Sequence, residues 1–142
     1  MILQLLALLS SATFFGAALY ISLVQHPAAL EAGGSVGGRF FPPMYKRAAR
    51  MQIVLALAGS VSGFALWFYG IGFLWLIGAF FLLSVFPVTL ILIKPVNDKL
   101  LSSENDPDSV ETKALLRRWG PLHWIRTVAS GTAFVIYLIA GI

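Results

Sequence analysis

Polar side chains recur at helical spacing in two apolar segments of this sequence. In the C-terminal segment they follow steps of four, three and four residues: Trp119, His123, Arg126 and Ser130. In the N-terminal segment Ser22 and His26 are four residues apart, with Gln25 beside them. This spacing places each set on one face of a helix. Polar groups are costly in an apolar segment, so these residues are candidates for a functional site.

Two histidines also raise the question of a bound metal or haem. If the two segments run antiparallel, the histidines are offset by about 7 Å along the helix axes, which disfavours an axial haem pair. The apolar segments hold no Asp or Glu, which excludes a carboxylate-bridged metal site, and the chain has no Cys for thiolate ligation. We therefore expect no cofactor, with haem or copper as the alternative.

The helices that position these residues are indicated by long segments without charged side chains. Residues 1–30 and 51–93 hold no Asp, Glu, Lys or Arg. A membrane span needs about 20 apolar residues, which predicts spans at about 2–24, 44–69 and 72–93. Residues 127–142 are too few to cross the membrane, so a fourth span at about 121–142 includes Arg126. We predict an all-α, antiparallel four-helix transmembrane bundle, a single domain over 1–142, with a short cytoplasmic helix leading into helix 4.

The remaining charges predict the orientation. Every Lys and Arg except Arg126 lies in the connections around 25–50 and 94–120. The positive-inside rule then places the long connections in the cytoplasm and both termini outside, in a bacterial inner membrane. The net charge of +4 thus reports topology and contact with membrane lipid, and no basic stripe remains for nucleic acid. With 58% hydrophobic and 11% charged residues, the composition disfavours a water-soluble monomer.

All four predicted spans carry polar residues to the cytoplasmic end. His26 ends the first, Tyr45 begins the second, Asn97 ends the third and His123 begins the fourth. We expect a polar pocket there, beneath a flexible glycine-rich loop at 31–41, with Pro42 and Pro43 in the first turn of the next helix and Asp106 capping the last.

Each of these polar residues also has a simpler interpretation. Arg126 would snorkel to lipid phosphate, and His26 before Pro27 would only mark a helix end. Trp119 would belong to an interfacial aromatic belt, and Asn97 would cap a helix. Their shared depth favours a site.

Several short motifs resemble the anthrone-oxygenase-like family of small four-span membrane proteins. They run from Gly16 through His26-Pro27, from Phe40 to Tyr45 with the following basic residues, through Pro95-Val96-Asn97 with Leu100, and through Trp119-x-x-x-His123-x-x-Arg126. The likeness covers nearly the whole chain. It implies an oxygenase that converts anthrones to anthraquinones with O₂ and without a recognised metal or flavin.

The resemblance also implies roles for the site residues. An anthrone carbanion passes an electron directly to O₂, so the protein must supply a base, a cation and a dry pocket. His26 or His123 would be the base, Arg126 the cation and Asn97 a donor to the oxygen. Trp119 and Tyr45 would stack on the aromatic substrate, and Ser22 would contribute to binding it.

Two other classes of function remain open. An accessory or assembly subunit, in a homo-oligomer or a larger membrane complex, would dock through small-residue faces such as Gly59 to Gly63. A quinone or other lipophile binder would use the same pocket without catalysis. A transporter is disfavoured because no polar ladder crosses the spans.

Overall fold

The computed structural model describes all 142 residues, and they form helices with short connections and no strand. Four helices are long and apolar enough to cross a membrane: α1 (Ile2–Glu31), α2 (Gly34–Phe68), α3 (Phe73–Leu101) and α4 (Val110–Gly141). This confirms the predicted four-helix transmembrane fold class. The short helix expected ahead of the fourth span is the N-terminal part of α4, which continues through Pro121.

The four helices form an up-down-up-down bundle. Each helix packs against its two neighbours around the bundle, and α2 also meets α4 across the middle. The turns at the two ends of the bundle differ in length, but each contains a glycine with positive φ. These are Gly33 (φ 112°), between α1 and α2, and Gly70 (φ 75°), between α2 and α3.

The interior is divided into two apolar clusters. One includes Phe14, Trp75 and Tyr137, near the termini and the α2–α3 turn. The other includes Phe41 and Trp119, toward the opposite end. Along α4 the buried residues between these clusters are all polar, namely His123, Arg126, Thr127 and Ser130, so a polar layer separates the clusters.

Two π-helical turns occur where proline interrupts a helix. Ile21–Gln25 precedes Pro27 in α1, and Val88–Ile93 precedes Pro95 in α3. A proline lacks the N–H of the regular ladder and crowds the carbonyl four residues earlier, and a widened turn accommodates both effects. Ser22 lies inside the first of these turns.

The glycine-rich segment 31–41 is not a flexible loop, and that prediction is wrong. It is helical from Gly34, so Pro42 and Pro43 lie inside α2 and not in its first turn. A Cβ at Gly37 would lie 2.9 Å from Cδ1 of Leu116, and one at Gly38 would lie 2.8 Å from Cγ2 of Thr112. The glycines therefore serve close packing of α2 against α4 rather than flexibility.

The cap of α4 also differs from the prediction. Ser109, not Asp106, is the N-cap, and its Oγ accepts a hydrogen bond from the N–H of Thr112 at 3.1 Å. Asp106 instead turns the preceding chain, because its Oδ1 accepts from the N–H of Asp108 at 2.9 Å. An ion pair of 2.8 Å between Arg39 and Asp108 ties this turn to α2.

The small-residue face of α2 is used inside the bundle. A Cβ at Gly59 would lie 2.5 Å from Cδ2 of Leu82, and Gly63 faces the ring and hydroxyl of Tyr137. The Tyr137 hydroxyl donates to the carbonyl of Gly59 at 3.0 Å. This face is therefore occupied by α3 and α4.

We predict that Gly78→Ala destabilises the bundle. A Cβ there would lie 2.5 Å from Cε1 of the fully buried Tyr137, an overpacking that costs about 1–3 kcal/mol. Gly16→Ala is the matched control, because nothing lies within 4 Å of a Cβ at that position in α1. Thermal unfolding in detergent measures both, and equal melting temperatures for the two variants would contradict this packing.

Candidate functional site

The centre of the polar layer is a buried arginine with a neutral partner. Arg126 lies midway along α4 and is 8% exposed. One of its terminal nitrogens donates to Oε1 of Gln52, on α2, at 2.8 Å. The guanidinium also lies over the ring of Phe14, 5.6 Å from its centroid. No carboxylate contacts it, so the positive charge is uncompensated within the protein.

Two donors in this pair have no partner. Nε of Arg126 and Nε2 of Gln52 are buried and make no hydrogen bond. A buried unpaired donor costs about 1–3 kcal/mol, and more when it is charged. Each is a donor that an oxygen atom with excess negative charge would satisfy.

Two cavities reach these groups, and a third lies beside them. A cleft between α2 and α3, of about 170 Å³, is lined by Tyr45, Gln52, Ile53 and Arg126 among others. A groove between α1 and α2, of about 480 Å³, is largely apolar and includes Gln25 and Arg47. Between them lies a central cavity of about 10 Å³, which shares residues with both and adds His123 and Trp119.

His123 is held by hydroxyl groups from two helices. Its Nδ1 lies 2.9 Å from Oγ of Ser22, on α1. The same Oγ lies 2.9 Å from Oγ1 of Thr127, one turn further along α4. All three residues are buried, and Nε2 of His123 has no hydrogen-bond partner. The imidazole is therefore anchored by one nitrogen, with the other free.

Trp119 is the centre of an aromatic cluster next to His123. Its ring stacks on His123 with centroids 4.5 Å apart, lies 5.0 Å from His26, and meets Phe41 edge-on at 5.3 Å. Its Nε1 donates to Oδ1 of Asn97, on α3, at 2.8 Å. Trp119 is 2% exposed. Its ring is therefore occupied by protein side chains, and Asn97 fixes its orientation.

His26 links α1 to α4 at the edge of this cluster. A backbone carbonyl only accepts, so Nε2 of His26 must donate to the carbonyl of Leu116, 2.9 Å away. Gly120 makes room for the ring, because a Cβ there would lie 3.1 Å from that Nε2. His26 does not line the central cavity or the cleft.

The structure brings all seven predicted site residues into this one region. Tyr45 lines both the cleft and the central cavity and stacks on Phe41 at 5.7 Å. The simpler interpretations do not describe the contacts seen. Arg126 turns inward to Gln52 instead of snorkelling, and Asn97 lies inside its helix and binds Trp119.

Sequence reasoning missed two residues of the site. Gln52 interrupts an otherwise apolar stretch, so the cost of a polar group in a span was a usable signal. Thr127 gave no such signal, because threonine commonly satisfies itself by bonding a carbonyl in the preceding turn. Only the meeting with Ser22 shows that its hydroxyl joins a network.

The donor groups for a metal centre do not assemble. Nowhere do three or more His, Cys, Asp or Glu side chains come together in a way that could hold an ion. Each histidine uses one nitrogen for a hydrogen bond to the protein, which leaves one nitrogen per ring.

Comparison with known proteins decides the family. A sequence model of the anthrone oxygenase family matches residues 41–136. The chain belongs to this family. No curated protein and no solved structure gives a significant match.

The family match covers only part of the site. It includes Tyr45, Gln52, Asn97 and the α4 residues from Trp119 through Thr127. Ser22 and His26 lie outside the matched range, on α1. The hydroxyl that anchors His123 is therefore supplied by a helix that the family model does not reach.

We predict that breaking the hydrogen bond between Trp119 and Asn97 destabilises the protein mainly because the Asn97 amide oxygen is left buried without a donor. Trp119→Phe leaves Oδ1 of the buried Asn97 without a donor, which costs about 1–3 kcal/mol beyond the lost packing. Adding Asn97→Leu removes that unsatisfied group, so the double variant should regain part of the stability. A double-mutant cycle of thermal unfolding measures this coupling, and strictly additive effects would refute it.

Proposed function

We propose that the protein is a membrane oxygenase that oxidises anthrone-like hydrophobic aromatic compounds to quinones with O₂. The observation that carries this is Arg126, a buried cation whose only hydrogen-bonded side-chain partner is a neutral amide and whose Nε is free. Membership of the anthrone oxygenase family supports the same substrate class.

The reaction needs only groups that this site offers. A base removes a proton from the ring CH₂ group, and the resulting enolate gives one electron to O₂. The two radicals couple to form a C–O bond, and the proton returns to give a hydroperoxide. Loss of the second CH₂ proton with cleavage of the O–O bond then yields the carbonyl and one water. One O₂ is consumed per substrate, with one oxygen atom in the product and one in water.

His123 is the better placed of the two candidate bases. It lines the central cavity together with Arg126, and its Nε2 is free. His26 lies outside that cavity, with its Nε2 held by a carbonyl. We therefore assign the base to His123 and give His26, Trp119 and Asn97 the role of holding it in place.

Arg126 and Gln52 are assigned to the enolate oxygen. Their free donors, Nε and Nε2, have no hydrogen-bond partner, so no hydrogen bond must break when an oxyanion arrives. Preorganised donors of this kind stabilise charge that develops during a reaction. They would stabilise the ionised substrate more than the neutral one.

The cleft between α2 and α3 is the proposed substrate site. It contains Arg126 and Gln52, and it has an aromatic wall from Phe14, Tyr45 and Phe86. At about 170 Å³ it is smaller than most ligand sites, so exposed side chains at its rim such as Ile53 must part to admit three rings. The central cavity, about 10 Å³, is at the lower limit for one water molecule.

We place the site at the cytoplasmic margin of a bacterial inner membrane, with both termini outside. The basic residues next to it, such as Arg47 and Arg50, agree with that orientation. A hydrophobic substrate would then enter from the lipid, and no metal, haem or flavin is required.

A quinone binder without catalysis is the second candidate, because the free donors of Arg126 and Gln52 also suit a quinone carbonyl.

The proposal is tested by supplying an emodin-type anthrone to the purified protein in lipid nanodiscs. Quinone formation and O₂ uptake are followed against protein-free autoxidation. We expect one O₂ consumed per quinone formed. Tight binding of the quinone without O₂ uptake above the protein-free rate would instead indicate the non-catalytic binder.

Neutralising Arg126 should abolish this activity without unfolding the protein. Gln52→Glu places a carboxylate against the guanidinium, so the pair becomes internally compensated and no longer attracts an oxyanion. We expect turnover to fall by about 10²-fold or more, with the melting temperature maintained. Gln25→Glu makes the same chemical change in the groove and should leave turnover near wild type. Wild-type turnover in Gln52→Glu would contradict the assignment of Arg126 and Gln52 to the enolate oxygen.

Two tryptophan variants test where the substrate binds. Ile53 lines the cleft and is 47% exposed, whereas Met51 lines the groove and is 45% exposed on the same helix. Ile53→Trp should fill the cleft and raise KM by about tenfold or more, while Met51→Trp should not. A raised KM in Met51→Trp, with KM unchanged in Ile53→Trp, would indicate that the substrate binds in the groove.

A further inference from the structure

The network behind His123 has a direction. It runs from Nδ1 of His123 to the Ser22 hydroxyl, then to the Thr127 hydroxyl, and it ends at two backbone carbonyls. Oγ1 of Thr127 lies 3.3 Å from the carbonyl oxygen of Ala18 and 3.4 Å from that of His123. Carbonyl oxygens only accept hydrogen bonds, so Thr127 is the donor in either of these contacts.

When the Thr127 proton is turned to a carbonyl, Thr127 accepts from Ser22 across 2.9 Å. Ser22 has then used its proton and accepts from His123, also across 2.9 Å. This direction puts the proton on Nδ1 of His123 and the lone pair on Nε2. The reverse direction, from Thr127 through Ser22 to a lone pair on Nδ1, is the alternative that the test distinguishes.

We propose that Ser22 and Thr127 are positioning residues that hold His123 in the Nδ1–H tautomer, with the Nε2 lone pair available as a base. This rests on the proposed function for its role in turnover, but the tautomer itself does not. It assigns a task to Ser22 in place of substrate binding, and to Thr127, which sequence reasoning did not find.

The opposite tautomer occurs at His26 and provides an internal reference. Nε2 of His26 donates to the carbonyl of Leu116, so the proton is on Nε2 and the lone pair on Nδ1. The chain contains only these two histidines. Two neutral imidazoles of opposite tautomer should therefore be visible in one protein.

The test is ¹⁵N NMR of histidine-labelled protein in lipid, with signals assigned through His26→Gln. Wild-type protein should show a protonated Nδ1 at His123 and a protonated Nε2 at His26. Ser22→Ala and Thr127→Val should lose the Nδ1–H state of His123. The conservative variants Ser22→Thr and Thr127→Ser should keep it, because a hydroxyl is retained at each position.

Turnover gives a second readout. Ser22→Ala should lower kcat by about 10²-fold and leave KM within about twofold, since the base is misoriented while the cleft is unchanged. Thr127→Ser should restore most of the rate that Thr127→Val loses, which a merely structural role would not require.

The two proposals fail in different ways. Nε2–H at His123 in the wild-type protein, or an unchanged tautomer in Ser22→Ala, overturns the positioning role even if the anthrone is oxidised. The expected tautomers without oxidation of the anthrone would support the positioning role and count against the oxygenase.

Discussion

The burial of one uncompensated positive charge organises this protein. Arg126 lies in the middle of α4, among helices that contain no carboxylate near it, and only an amide oxygen of Gln52 accepts a hydrogen bond from its side chain. Removing such a charge from water costs several kcal/mol unless partners compensate it. A protein that retains this cost without an acidic partner is well suited to receive the missing negative charge from a ligand.

The surrounding bundle is built to keep this charge in place. Small residues let the helices approach closely at both ends, with Gly37 and Gly38 against α4 and Gly59 and Gly63 against α3 and α4. In a membrane such packing, rather than the hydrophobic effect, holds helices together. The two apolar clusters that result lie on either side of the polar layer, and an apolar surrounding strengthens the electrostatic interactions inside it.

The candidate site was predictable in its members and less so in their roles. The cost of polar groups in spans identified His26, His123 and Arg126 as candidates, and the antiparallel order of the helices brings them close together. The roles depended on contacts: Trp119 is enclosed by His123, His26 and Phe41 instead of presenting a face to a ligand. Nothing in sequence spacing says which residues of different helices will meet.

By itself the sequence determined the number of helices, because charged side chains are costly in hydrocarbon and a span has a minimum length. It also singled out Arg126, because a charged side chain within an apolar segment is costly in a membrane. Only the tertiary structure decided that the glycine-rich segment is helical, because glycine is equally compatible with a loop and with close helix packing. It also decided that Gln52 meets Arg126 and that Ser22 and Thr127 anchor His123, since hydrogen-bond partners across helices depend on their rotation and depth.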